Sequence, residues 1–366
     1  MPVLRFLFAS LLLAAPLSAQ TPDTSLVGAS RLGAEITAFT AVQTFEGEAA
    51  SGGSARVTQV SSPISLAVPL RPDLGLAVRM SYATSGGAGL TSVDGLADVQ
   101  VGLSHRRRLG SGEAIFGLDV NLPNGDGTLT AAEAETAFLV GQGFYGFQMR
   151  TLGQGFNVAP SVAWAVPISP SAVVGVGAAV QRRGAFEPRR GASVAFDPGD
   201  ELLVTTGVEV QAGSGVVGVD LAYAFYGDDT WGDVTFATGD EVSLTAQWAG
   251  ALRGHDARLV GRFGRRETGT RTPETEALLG LNAVVPSQSR VLGSVRFQVG
   301  PRASANVYAQ GRTYAASGAF ASKAIADVGV EPALALRDGL MLLGRLGATV
   351  GDVRGVEVAA GIRWSR

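Results

Sequence analysis

Along most of the chain, apolar residues alternate with polar or very small ones, the period of a strand with two unlike faces. From Leu74 to Tyr82 one face carries Leu74, Leu76, Val78, Met80 and Tyr82, and the other Gly75, Ala77, Arg79 and Ser81. Val217, Val219, Leu221, Tyr223 and Phe225 oppose Gly218, Asp220, Ala222 and Ala224 in the same way. The pattern recurs over 242–248 and 291–299. The second face is too sparsely charged for the exposed side of a soluble sandwich. The segments run about 9–13 residues, the length a tilted transmembrane strand needs.

Eighteen segments qualify: 32–46, 54–69, 73–84, 95–108, 112–122, 135–150, 155–167, 171–185, 199–211, 215–227, 238–251, 255–268, 274–285, 289–300, 303–315, 323–337, 340–350 and 354–364. Bacterial barrels have even strand numbers and alternate short periplasmic turns with longer outer loops. The turn at 71–73, the loop 85–94, the turn at 109–111 and the loop 123–134 obey that alternation. Two short turns then follow each other, at 153–155 and 168–170, so one hairpin within 122–190 is misassigned. The reading is all-β: a transmembrane antiparallel up-and-down β-barrel of about 16 strands, within a range of roughly 14–18. It forms one domain over 20–366, with no outer loop much beyond about a dozen residues.

The first residues read differently. Arg5 precedes an apolar run from Phe6 to Ala15, and Leu17-Ser18-Ala19 provides a small-residue exit, so 1–19 is read as a signal peptide for Sec export. At the other end Val356, Val358, Ala360, Ile362 and Trp364 alternate to a final aromatic, resembling the terminal strand that barrel assembly machinery recognises.

Composition supports a barrel and removes other classes. Of 366 residues, 46% are hydrophobic and only 17% charged, against the ~25% usual in soluble domains. The 50 glycines disfavour long helices. Outside the leader no apolar run approaches the ~20 residues of a transmembrane helix, and a closed barrel is the other way to pair every backbone group in lipid. A net charge of −3 gives no electrostatic case for nucleic acid. The absence of cysteine excludes disulfides and thiolate chemistry. The two histidines, His105 and His255, lie near short turns, so a triad or zinc site has no basis and no enzyme activity is expected.

Two segments resemble a group of outer-membrane channel proteins that includes those encoded beside phenol meta-cleavage pathways and is distantly similar to hydrophobic-substrate transporters. The first runs from Gly95-Leu96-Ala97-Asp98-Val99 through Gly102-Leu103-Ser104 to Gly117-Leu118-Asp119 and Leu122-Pro123-Asn124-Gly125-Asp126. The second is Phe196-Asp197-Pro198-Gly199-Asp200-Glu201. The resemblance implies passive uptake of small, hydrophobic molecules and brings no catalytic residue.

Arginine placement is the main candidate chemistry. Arg258, Arg262 and Arg266 share one strand face, and Arg79, Arg290, Arg296, Arg312, Arg345 and Arg363 also fall on the polar side. Arg facing lipid at midplane costs about 2–4 kcal/mol, so this face is read as the lumen. Inward acids are Glu35, Asp119, Glu209, Asp220 and Glu357. A basic stripe biasing passage toward anions and a set of structural Arg–carboxylate pairs are both open, with the second favoured.

Residues 122–133 match an EF-hand calcium loop at Asn124, Asp126, Gly127, the Thr128 carbonyl and Glu133, but Leu122 stands where the first Asp belongs. A turn using Asn-Gly and Asp-Gly is the preferred reading, with no cofactor. The aromatics Phe39, Phe45, Tyr82, Phe225, Tyr226, Trp231, Trp248, Tyr314 and Trp364 fall near strand ends as interfacial girdles would. The expected function is an outer-membrane channel for small, hydrophobic or anionic solutes in a Gram-negative-type envelope. The alternative is a structural or surface-interaction barrel with a side-chain-filled lumen.

Overall fold

The protein is described by a computed structural model over residues 33–48, 54–149, 152–188, 190, 194–267, 287–316 and 321–366. The leader read over 1–19 and the candidate strand at 274–285 lie outside these residues.

The chain opens with β1 (Glu35–Glu48), β2 (Ser54–Arg71) and β3 (Leu74–Gly87), followed by β4 (Leu90–Leu96) and β5 (Val99–Leu109). β4 and β5 both pair with β3 and form one stave broken at Ala97-Asp98. β6 (Gly112–Leu122), the helix α1 (Ala134–Gly141), β7 (Asn157–Ser169) and β8 (Ala172–Arg183) come next. After the two-residue β9 (Phe196–Asp197) run β10 (Glu201–Ala212) and β11 (Gly215–Tyr226). Then come the short β12 (Asp228–Trp231) and β13 (Val234–Ala237). β14 (Glu241–Leu252), β15 (His255–Arg266), β16 (Gln288–Gln298) and β17 (Ala303–Tyr314) follow. β18 (Lys323–Arg337), β19 (Leu340–Gly351) and β20 (Arg354–Ser365) end the chain.

Neighbouring staves pair antiparallel, and β20 pairs with β1 from Trp364 opposite Ile36 to Arg354 opposite Glu46. The sheet therefore closes as a 16-stranded transmembrane β-barrel. β9, β12 and β13 form a small separate sheet.

The outward face carries the predicted apolar sets. Met80, Tyr82, Val217, Leu221, Phe225, Leu244, Leu259, Phe263, Val291, Leu346 and Val358 are all exposed on it. A continuous band of this kind exceeds any apolar patch a soluble monomer tolerates and is what lipid solvates. The inward face is polar or small. Small residues there make room for large neighbours: a Cβ on Gly329 would lie 2.5 Å from the Tyr308 hydroxyl, and one on Gly347 3.0 Å from it. Outside, Trp164 and Trp248 cover Gly112 and Gly215 in the same manner. Part of the high glycine content is thus cross-strand space for aromatic and acidic side chains.

The short turns at 71–74, 109–112, 169–172, 212–215, 252–255 and 337–340 share one end with the start of β1 and the end of β20. The segments 123–156, 184–200 and 227–240 lie at the other, the loop end. The first of these corrects two expectations. The segment read as a strand over 135–150 contains α1 and then turns, and it belongs to a connection far longer than a dozen residues. Thr130-Ala131-Ala132-Glu133 explains the helix. The Thr130 N–H donates to Glu133 Oε2 at 2.6 Å and the Glu133 N–H to Thr130 Oγ1 at 3.3 Å, a reciprocal capping box that outweighs a short alternation. With that strand removed, the connections fall alternately at the two ends of the barrel, although the loop end also carries two tight turns, at 352–353 and at 88–89, where the expected loop 85–94 is instead strand.

The girdle reading also needs revision. Tyr82, Phe225, Trp248 and Trp364 face outward, by the parity of their pairing. Phe45 and Tyr314 point inward and are buried beneath the long connection, Tyr226 lies under Arg266, and Trp231 belongs to the small sheet.

Gly329→Val should overpack the Tyr308 site and cost about 1–3 kcal/mol. The check is the temperature at which the folded band disappears in heat-modifiability gels. Adding Tyr308→Ala should recover most of the loss.

Candidate functional site: a connection folded into the barrel

The segment 123–156 enters the lumen and is held at its base by the break between β4 and β5. Asp98 is the centre of that attachment. Its Oδ1 accepts the Gly125 N–H at 2.8 Å, and its Oδ2 accepts Asn121 Nδ2 and the Gln154 N–H at 2.7 Å each. The Asp98 N–H in turn donates to the Leu152 carbonyl. Asn124 Oδ1 accepts the Val99 N–H and Asp126 Oδ2 the Leu96 N–H, both at 2.9 Å. Gly125 is required because a Cβ there would lie 2.5 Å from the Asp98 nitrogen.

These bonds bear directly on the calcium candidates. Asn124, Asp126 and Glu133 each already accept a backbone N–H, and Thr128 lies exposed between them. Among the described residues no group of three or more acidic, His or Cys side chains is placed to hold a metal. The backbone N–H of Thr130, aided by its hydroxyl, holds the Glu133 carboxyl below its ordinary pKa.

On β1 and β2 the wall treats the connection almost as another strand. Gln43, 2% exposed, donates through Nε2 to the Gly146 carbonyl and accepts the Gln148 N–H through Oε1, at 3.2 and 2.8 Å. Gln59, 1% exposed, does the same to Met149, donating to its carbonyl at 2.6 Å and accepting its N–H at 3.0 Å. Each amide presents a donor and an acceptor, as a peptide group does, and so satisfies a backbone that is buried without a ladder. Phe144, Tyr145 and Phe147 pack against Phe45, Val57, Tyr314 and Ile325. The Tyr145 ring occupies the space a Cβ on Gly47 would need. Arg312 Nη1 donates to the Phe144 carbonyl at 2.9 Å.

The connection therefore covers the inner faces of β1, β2, β17 and β18, along with Ala83 on β3. It leaves a polar wall on β15 and β16. Register places Arg262 opposite Arg290, and Arg290 opposite Arg312, so three arginines stand side by side on consecutive strands. Arg290 and Arg296 face inward yet are exposed, and the Arg262 side chain is 39% exposed. Arg258 shares this face.

The remaining predicted residues are structural. Arg312 makes a two-point contact with Asp327, Nε to Oδ2 at 2.7 Å and Nη2 to Oδ1 at 2.9 Å. Arg266 bonds Glu241 at 2.6 Å and stacks over Tyr226. Arg345 pairs with Glu331 at 2.7 Å and reaches Glu357, which accepts from Gln148 of the inserted segment. Arg79 interacts with Asp119, whose carboxylate leans over Gly102. Glu209 and Asp220 face inward as expected but are buried, so they do not line water. Sequence reading passed over Gln43, Gln59 and Asp98. Inward glutamines on otherwise small faces, and an aspartate interrupting an alternating run, were the available signals.

No protein-family model matches the chain, and no curated protein matches it significantly. Solved structures of similar shape include the COG4313 outer membrane channel from Pseudomonas putida F1, at 9% identity with a TM-score of 0.41, covering 92% of this chain and 96% of that one. Pseudomonas putida OprB in a high-pH structure has 10% identity and a TM-score of 0.46, covering 91% and 94%. An anion-selective porin from Comamonas acidovorans has 13% identity and a TM-score of 0.42, covering 91% and 98%. None is close enough to carry residue roles across.

Gln43→Leu with Gln59→Leu should leave four backbone groups of the inserted segment without partners, at about 1–3 kcal/mol for each buried group left unpaired. Amide hydrogen exchange at Gln148 and Met149 should then rise sharply while strand amides stay protected. Since the Glu133 pKa is lowered, the α1 cap is complete above the ordinary glutamate range and is lost as pH falls through that lowered pKa. Exchange protection of α1 should drop in that acidic window, and Glu133→Gln should remove the dependence.

Proposed function

We propose that this chain is a non-enzymatic outer-membrane channel for passive passage of small solutes, reached by Sec export and barrel assembly, with a preference for anions. In this reading the short-turn end faces the periplasm. The observation that carries it is the wall of β15 and β16, beside the staves that the inserted segment covers, where Arg262, Arg290 and Arg296 face inward and keep solvent exposure. Guanidinium groups beside a narrowed, low-dielectric passage raise the local concentration of anions and repel cations. A lumen lined in this way suits anionic cargo better than the hydrophobic cargo implied by the family resemblance.

The competing reading, a scaffold with a filled lumen, is favoured by the saturated pairs Arg312–Asp327 and Arg345–Glu331. The two separate in planar bilayers. The channel reading expects stepwise conductance with anions favoured several-fold in a salt gradient. Arg262→Gln, Arg290→Gln and Arg296→Gln together should bring that ratio close to one. A silent bilayer, with no swelling of loaded liposomes, would support the scaffold instead.

A further inference from the structure

The short-turn end carries charge in an uneven way. Exposed arginines occur at Arg71, Arg107, Arg108, Arg253, Arg302, Arg337 and Arg366. The turns at 169–172 and 212–215 carry no charge at all. The arginines therefore form a broad arc around the rim that is open only across the two neighbouring turns from β7 to β11. At four points the guanidinium residue adjoins an exposed leucine of the apolar band: Leu70-Arg71, Arg108-Leu109, Leu252-Arg253 and Leu336-Arg337, with the leucines 42–51% exposed. That couple spans the boundary between acyl chains and headgroups. Acids near the arc are Glu35 beside the end of β20, Asp73, which Arg71 and His105 share at 3.4 Å, Glu113, which pairs with Arg106 at 2.7 Å, and Asp256 and Asp338.

One arginine is retained against backbone preference. Arg253 has φ of 52° and is the only non-glycine residue with positive φ among the described residues. It precedes Gly254, φ 83°, in a turn where Asn or Gly is unstrained. A strained position held by a charged residue points to a use for the charge.

We infer that this arc binds the anionic headgroups of glycerophospholipids in the leaflet at the short-turn end. The inference rests on the membrane orientation proposed above. Each arginine near such a surface contributes up to a few-fold in attraction to anionic lipid, weakened by salt.

The test uses the full-length folded protein in vesicles of phosphatidylcholine with a minor share of phosphatidylglycerol, followed by lipid quantification of the particles extracted around the barrel. Phosphatidylglycerol should be enriched about three- to fivefold over its bulk share, less at high salt. Arg107→Gln, Arg108→Gln, Arg253→Asn, Arg302→Gln and Arg337→Gln combined should abolish the enrichment while the barrel still migrates as folded. Neutralising Arg182 and Arg265 at the loop end should leave it intact. Normal insertion without enrichment, or enrichment that survives the rim variant, overturns the inference and leaves the arc to a soluble anionic partner. Failure to insert into vesicles of any composition overturns the membrane reading as well.

Discussion

A backbone amide removed from water must find another partner, and this constraint acts twice in the barrel. In lipid it forces closure: every stave pairs on both sides, and β20 returns to β1 with no open edge. Inside, it governs how a non-strand segment can occupy the lumen. The turns after α1 have no ladder of their own, so Gln43 and Gln59 supply peptide-like groups from the wall and Arg312 takes the Phe144 carbonyl. Remove these and the aromatic packing around Phe45 would have to hold buried, unsatisfied backbone in place. The leftover space on β15 and β16 follows from which staves carry those side chains.

Charge is divided along the same lines. Beside the inserted segment each guanidinium is matched by carboxylate, as with Arg312–Asp327, whose oxygens also accept from Gln310 and Thr349. Such saturation suits a buried site, where an unmatched charge is costly. On the adjoining staves β15 and β16, Arg262 and Arg290 stand side by side, with Glu241 at 3.8 Å from Arg262 and Arg290 Nε donating to Gln310 Oε1 at 2.6 Å. Like charges at that spacing are tolerable only when water reaches them. The same residue type is therefore locked to carboxylate on β17 and β18 and left exposed on β15 and β16.

Much of the barrel is legible from alternation alone, because lipid on one side and water on the other enforce period two at every stave. Arg258, Arg262 and Arg296 lie on the inward face of their strands, and a register slip would place them in lipid. Legibility fails where neither solvent imposes a pattern. The alternation over 135–150 predicts a strand, but it is weak, and the capping box at Thr130 and Glu133 decides for a helix over Ala134–Gly141. Glu209 and Asp220 show that facing inward does not mean lining water. The Asp98 attachment joins two stretches separated by a whole hairpin, and no local spacing announces it, although both lie within the segments that carry the family resemblance.

In the proposed channel the passage runs along β15 and β16 while the inserted segment covers the wall at β2. Because the chain has no cysteine, single thiols test this directly. A charged methanethiosulfonate reagent applied to conducting protein should alter the current through Arg290→Cys and leave Val57→Cys unchanged. Modification of current at position 57 with none at position 290 would contradict the account.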